Sequence, residues 1–388
     1  MNSQQQSSTI ILYQPYYDFM GHFKDFFHLY EDYLTKKGFN TCGIIGTLSG
    51  ESSGLNQKGC IQAFKSYTDN KFKRILANYA GFHEVEELLN QRKIDAVHFL
   101  DYEILSLASH LMVHPEPFQK TKIILTQHSV NFLTANINSS LLLTGYRKMA
   151  QKAYEFLDRN FDLTIVTNGK WITRSLQGFY SSDNTRFVTS TWGAHPPLSF
   201  SNEFKSPPNS FLYLGIIRKD KNLEYLLEQF SKVDTPFKLT IAGVPFDYSE
   251  EELLRLTQKS GIPEESLHID LGFIEEDKYL QYLASNRYLV LPYSASNQSN
   301  SGPLIQAIQY GCIPIVSNYG ERGLIVESNN LGYTFNFEQK DHLSAIVDAI
   351  LNKNMDPNSY LNRLRQIKEQ YQWKNILEDQ ILNQKIYS

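Results

Sequence analysis

Short apolar runs alternate with amphipathic stretches along nearly the whole chain. TIILYQP (9–15), NTCGIIG (40–46), AVHFL (96–100), KIILTQH (122–128) and LTIVTN (163–168) read as strands. They are apolar on both faces, as strands of a covered parallel sheet are. Between the first two lies GHFKDFFHLYEDYLTKKG (21–38), which sets Phe23, Phe26, Phe27, Tyr30, Tyr33 and Leu34 at helical spacing. Gly38 is placed to stop that helix. The rhythm breaks at HPPLSFSNEFKSPPNS (195–210), where four prolines and several serines predict a linker. It then restarts with strands FLYLGI (211–216), FKLTIAG (237–243), LHIDLG (267–272), RYLVLPY (287–293) and IPIVSN (313–318), and helices over 222–232, 249–260, 277–285 and 302–310. Strand–helix alternation of this kind predicts βαβ units and parallel sheets, so the expectation is two α/β domains in tandem.

Length agrees with two domains, because single cores rarely grow beyond about 250–300 residues and this chain has 388. A net charge of −4 gives no global case for binding nucleic acid. The three cysteines, Cys42, Cys60 and Cys312, are too few and too scattered for a disulfide framework or a zinc knuckle. The N-terminus MNSQQQSSTIILYQPYY lacks a basic start and a long apolar core, and no run reaches the ~18–20 apolar residues of a membrane span. The expected location is cytoplasmic. One stretch, QAFKSYTDNKFKRILANYAG (62–81), interleaves Lys65, Lys71, Lys73 and Arg74 with Phe64, Tyr67, Phe72 and Tyr79. It reads either as a solvated helix face over a core or as a patch for anionic lipid at the inner face of a membrane.

In open α/β sheets ligands bind beyond the strand C-termini, so the loops after strands carry the candidate chemistry. Gly21 and His22 follow the first strand at a helix start, where backbone can approach an anion. His128 directly follows KIILT and has the chemistry of an acid, base or hydrogen-bond donor; a satisfied structural histidine is the alternative. LGIIRKDKN places Gly215 at a strand end, followed by Arg218, Lys219 and Lys221 before a helix. Cations beside a helix N-terminus suit a diphosphate, although the P-loop spacing is missing. Finally, NQSNSGP brings Asn297, Gln298, Asn300, Ser301 and Gly302 to the start of a helix whose Pro303 fits the first turn. Amide side chains there donate and accept, as sugar hydroxyls require. His110 and His114 stand at i, i+4, but no neighbouring carboxylate completes a set and Pro115 ends the helix, so no metal site is expected.

Together these segments resemble the GT-B fold glycosyltransferases, specifically the large retaining family 4. FLYLGIIRKDKNLEYLLEQF resembles that family's strand, basic loop and helix. SGPLIQAIQYGCIPIVSNYGERGLIVESNNLGYTF resembles its signature around E-A-x-x-x-G-x-P-V-I. Gly21-His22, AVHFLD, TQHS and LTIVTN carry a looser likeness in the first half, and YQWKNILEDQ (371–380) resembles the segment that crosses back onto the first domain. The resemblance implies two Rossmann-like domains facing a cleft. Residues 1–200, joined by 374–388, would form the acceptor side, and 201–373 the donor side. It implies transfer of a sugar from a nucleotide diphosphate sugar to a saccharide or lipid-linked acceptor, with retention and with no metal or other cofactor. His128, Arg218 and Lys221 then carry the catalytic roles. Gly21, His22, Gly215, Gln298, Asn300, Ser301, Gly302 and Gln306 bind the donor. The sequence departs from the family at Gln298 and Gln306, where members commonly bear glutamates, and at Ile216, where they bear arginine. Those departures motivate an alternative, a GT-B-shaped protein that binds a nucleotide or a partner without catalysis.

Overall fold

The computed structural model describes residues 8–19, 22–51, 60–67, 71–134, 141–182, 184–196 and 206–387. It divides into two compact units, one of Met1–Ser190 with Leu377–Ser388 and the other of Thr191–Ile376.

The first unit holds strands β1 (Thr9–Gln14), β2 (Asn40–Thr47), β3 (Cys60–Lys65), β4 (Ala96–Phe99), β5 (Lys122–Gln127), β6 (Leu163–Thr167) and β7 (Arg186–Thr189). Its helices are α1 (Phe23–Lys36), α2 (Lys71–Gln91), α3 (Ile104–Val113), α4 (Asn131–Thr134), α5 (Leu141–Asn160) and α6 (Lys170–Gln177). The seven strands lie in the order β3-β2-β1-β4-β5-β6-β7, and every pairing is parallel. Tyr13 of β1 stands opposite Ile44 on one side and Phe99 on the other. The helix read from 21–38 forms as α1, with Phe26, Phe27, Tyr30 and Leu34 buried and Gly38 beyond its end at φ 86°. Residues 377–387 pack here: Tyr30 donates to Gln380, and Tyr387 bonds Nδ1 of His98 at 2.6 Å.

The second unit holds β8 (Ser210–Leu214), β9 (Lys238–Gly243), β10 (Leu267–Leu271), β11 (Tyr288–Leu291), β12 (Ile313–Ser317) and β13 (Tyr333–Phe335). Its helices are α7 (Leu223–Phe230), α8 (Glu250–Lys259), α9 (Glu276–Ser285), α10 (Gly302–Tyr310), α11 (Gly320–Asn329), α12 (His342–Leu351), α13 (Asn358–Ile367) and α14 (Trp373–Glu378), the last carrying the chain back to the first unit. The strand order is β10-β9-β8-β11-β12-β13, again all parallel. β8, β11 and β12 are buried throughout, which is why they read as unbroken apolar runs.

Both sheets reverse direction of growth once, between β1 and β4 in the first unit and between β8 and β11 in the second. That reversal is the point where the crossovers on either side diverge and leave a crevice beyond the strand ends. The loops after β8 and β11 therefore meet by topology.

One expectation changes. The 62–81 stretch is not a single helix face. Its start is the strand β3 at the sheet edge, and its later part opens α2. Phe64 is buried and stacks on Tyr13, while the ammonium groups of Lys65 and Lys73 lie over the ring of Tyr67. Those aromatic rings are thus used inside the unit. No helix among the described residues is long and apolar enough to cross a membrane.

Candidate active site

The loop after β8 and the N-terminus of α10 converge in the second unit. Gly215 has φ 114°, and a Cβ there would sit 3.5 Å from Lys221 Nζ and 3.6 Å from Pro303 Cγ. Gly243 lets this happen from the neighbouring strand: its φ is 148°, and any Cβ would strike Gly215 O at 1.8 Å. The chain then makes one tight turn over Lys219–Lys221 and enters α7 through Asn222, which takes left-handed backbone at φ 59° and ψ 46°. Asparagine tolerates that conformation better than other non-glycine residues.

Two of the three basic residues in this loop, Arg218 and Lys221, have different surroundings. Arg218 forms a fork with Asp220, Nε to Oδ1 at 3.0 Å and Nη2 to Oδ2 at 2.8 Å. Lys221 lies 5.3 Å over the ring of Tyr293, and no carboxylate pairs with it among the described residues. Of these two, Lys221 is therefore the cation available to an incoming anion, and its ammonium lies beside the Gly215 backbone.

The loop after β11 is built from inside. Arg322 of α11 is fully buried and reaches across to it. Its Nη1 donates to Asn297 Oδ1 at 3.1 Å and to Ser299 O at 2.7 Å, and its Nη2 donates to Asn297 O. Its guanidinium lies 4.5 Å over Tyr293, so this ring carries two cations. Burial lowers the Arg322 pKa from its usual value to about 10. Asn297 also donates to Asp220 at 2.8 Å, which ties the β11 loop to the β8 loop. Gly320, at φ 65°, lets α11 start against the backbone of Gln298, whose carbonyl accepts from Glu321 N at 3.0 Å.

Ser301 caps α10 without a side-chain cap bond, and a Cβ on Gly302 would meet nothing within 4 Å. Free helix N–H groups with open space before them attract anions. The Ser301 hydroxyl and the Tyr293 hydroxyl are buried with no hydrogen-bond partner among the described residues, so water or a ligand is left to satisfy them. Asn300 accepts from Ser301 N at 2.8 Å. Gln298 donates to Ala295 O at 2.9 Å, and Gln306 stands half-buried in α10.

In the first unit, His128 follows β5 and Asp101 follows β4, on adjacent strands. His128 donates from Nε2 to Leu100 O at 2.7 Å and accepts at Nδ1 from Asn168 at 2.7 Å. Both ring nitrogens are engaged, which fixes the neutral ring with its proton on Nε2. Burial lowers its pKa to about 4. Asp101, whose Oδ2 is 4.0 Å from Nε2, is pushed up to about 7 by burial, against a backbone hydrogen bond from Tyr102 that lowers it. His22 caps α1 at the surface, with its ring 5.6 Å from that of His128. Gly21 lies outside the described residues. An open groove of about 490 Å³ at the end of α6, lined by Gln177, Tyr180 and Phe187 among others, contains none of these residues.

Residues 196–371 match the family model described as glycosyl transferases group 1. The protein is a glycosyltransferase. No curated protein sequence matches the chain. Among solved structures, the chain is similar to a glycosyltransferase from Rickettsia africae at 16% identity and TM-score 0.69, covering 98% of each chain. It is also similar to sucrose-phosphate synthase from Thermosynechococcus elongatus at 15% identity and TM-score 0.71, covering 97% of this chain and 98% of that one. A third is Anabaena HepE, solved in complex with UDP-glucose, at 10% identity and TM-score 0.66, covering 97% and 98%. At such identities the likeness carries the fold, two parallel-sheet α/β domains of the GT-B type. The glycosyltransferase signal falls on the unit that holds Lys221 and α10.

Sequence reading missed Asp101, Asp220, Tyr293 and Arg322. All four stood inside quoted segments but lacked a visible partner. The carboxylate that the pair His110 and His114 lacked in sequence is also present: Glu86 of α2 reaches both, 3.5 Å from His110 Nε2 and 3.3 Å from His114 Nδ1.

Proposed function

We propose that the glycosyltransferase takes a nucleotide diphosphate sugar as donor and binds its diphosphate on the second unit, between Lys221 and the N-terminus of α10. The observation that carries this is Lys221: a cation without a carboxylate partner among the described residues, set beside bare backbone at Gly215 and an uncapped helix start at Ser301 and Gly302. Charge-assisted bonds of this kind contribute roughly 1.5–3 kcal/mol each. As the bond to the sugar breaks, negative charge grows on the leaving diphosphate, and fixed donors there stabilise it. The reading assigns that role to Lys221 and the helix rather than to a metal ion. Arg218 joins only by loosening its fork to Asp220. Gln298, Asn300 and Gln306 offer amides to sugar hydroxyls. The acceptor in this reading is a saccharide or lipid-linked saccharide and meets the first unit, and transfer proceeds with retention, as in the family the sequence resembles. Anabaena HepE, bound to UDP-glucose, supports a nucleotide-sugar donor by analogy of fold alone.

Thermal unfolding with UDP, GDP and ADP, each bare and as its sugar, tests the reading. Ligand at ~100 times its Kd adds roughly 2.7 kcal/mol of stability. One base should shift the transition, and Lys221→Ala should reduce its affinity by about 10- to 100-fold. No shift with any nucleotide, in folded protein, sinks the reading. Binding without sugar transfer to any acceptor would favour the non-catalytic alternative.

A further inference from the structure

A second cluster of chemistry lies in the first unit, where α2 packs on α3. His83 and Glu86 stand one turn apart on α2, His110 lies in the last turn of α3, and His114 caps that helix. Glu86 Oε2 is 3.3 Å from His83 Nδ1 and 3.5 Å from His110 Nε2, and Oε1 is 3.3 Å from His114 Nδ1. One ligand atom from each of His83, Glu86 and His110 lies within 4.8 Å of the other two.

Hydrogen bonding explains only part of this convergence. The contact of His83 with Glu86 is a hydrogen bond. His110 is 2% exposed, and its Nε2 is buried with no hydrogen-bond partner among the described residues, although it faces the carboxylate. Rings of Phe82 at 5.6 Å, Phe118 at 6.0 Å and Tyr79 at 6.4 Å surround the His110 ring and hold it in that orientation. Leaving a buried ring nitrogen unpaired costs on the order of 1–3 kcal/mol. A ligand at that nitrogen removes the cost.

The geometry points to a divalent transition-metal site, zinc in the first instance, with His83, Glu86 and His110 as ligands and one open position. A tetrahedral shell with bonds of about 2.0–2.2 Å sets neighbouring ligand atoms roughly 3.3–3.6 Å apart. The two separations from Glu86 Oε2 fall in that range. Two imidazoles and one carboxylate suit zinc or a neighbouring transition ion better than magnesium or calcium, which take oxygen ligands. His114 touches the other oxygen of Glu86 and acts as a positioning residue, since ligating carboxylates are commonly oriented from behind. The ion would tie α2 to α3 on the outside of the sheet. The His83 side chain is 56% exposed and that of His114 38%, which leaves the ion a route in from solvent.

The test uses the full chain, stripped with a chelator and dialysed against zinc, with bound metal measured by elemental analysis. One equivalent should bind and raise the melting temperature. Cobalt in place of zinc should give the intense visible absorption of a tetrahedral site. His83→Ala with Glu86→Gln should lose the equivalent; His83 is exposed and Glu86 partly buried, and circular dichroism checks the folding of the variant. His114→Ala should retain one equivalent with affinity lowered about 10- to 100-fold. Absence of bound zinc in the native chain, or an equivalent that survives in the folded His83→Ala, Glu86→Gln variant, would overturn the proposal. Nucleotide binding by the second unit is measured separately, and neither result decides the other.

Discussion

At the scale of single residues, the second unit distinguishes cations by what already holds them. Arg218 is committed to Asp220, Lys221 lies over an aromatic face, and Arg322 is a buried brace. Arg322 organises the β11 loop through forked donors that a lysine cannot reproduce. Arg322→Lys keeps the charge and loses part of that fork, so Asn297 and Ser299 carbonyls are left unsatisfied. The expected cost is on the order of 2–3 kcal/mol of stability, with weaker nucleotide binding because Ser301 and Gly302 lose their placement. Denaturant unfolding and nucleotide titration of the variant read both effects. If stability fell and nucleotide affinity stayed the same, the brace would be structural only. Arg218→Ala, by contrast, frees Asp220 beside the site and should weaken nucleotide binding less than Lys221→Ala does.

At the scale of elements, the turn into α7 shows how sequence and backbone agree. Asn222 is left-handed, and its side chain makes no cap bond, so its value lies in tolerating φ 59°. Asn222→Gly should be near neutral, whereas Asn222→Val should cost about 1–2 kcal/mol and displace Lys221; equal stability of the two variants would remove backbone strain as the reason for asparagine here. Much of the fold was legible because buried parallel strands announce themselves as apolar runs, as IPIVS does in β12. β3 was not, because CIQAFK at the sheet edge alternates polar and apolar positions and merges with a basic, aromatic segment. The loops after β8 and β11 were legible as places, through Gly215, Lys221 and the Ser301-Gly302-Pro303 start. Their internal wiring was not. Arg322 acts from 25 positions beyond Asn297, and Glu86 meets His110 from another helix. Contacts across the chain leave no local pattern, so spacing along the sequence could show the histidine pair and not its carboxylate.

At the scale of the whole molecule, the two units should respond to different variables. Nucleotide should raise the unfolding transition of the second, since its candidate residues lie there. Acid should act mainly on the first. Burial lowers His98 to about 3, helped by His128, and lowers His128 and His110 to about 4. Each of these rings binds its proton more readily unfolded, at about 6.5, so their contribution is present above pH 6.5 and lost as pH falls toward 4. Asp101 works in the opposite sense. Its folded pKa near 7 exceeds its unfolded value, so its cost is absent at low pH and grows as pH rises from about 4 to 7. Each fully shifted group changes stability by about 1.4 kcal/mol per pH unit in its window. His98 and His128 together outweigh the single carboxyl, and His110 adds to them in metal-free protein. The net expectation is a loss of at least about 3 kcal/mol between pH 6.5 and 4, with zinc reducing the share of His110. Asp101→Asn removes the opposing group, so the acid limb should steepen by about 1 kcal/mol per pH unit. Denaturant unfolding at a series of pH values measures both slopes. A flat profile from pH 6.5 to 4 would mean that these buried rings take up protons without opening the first unit.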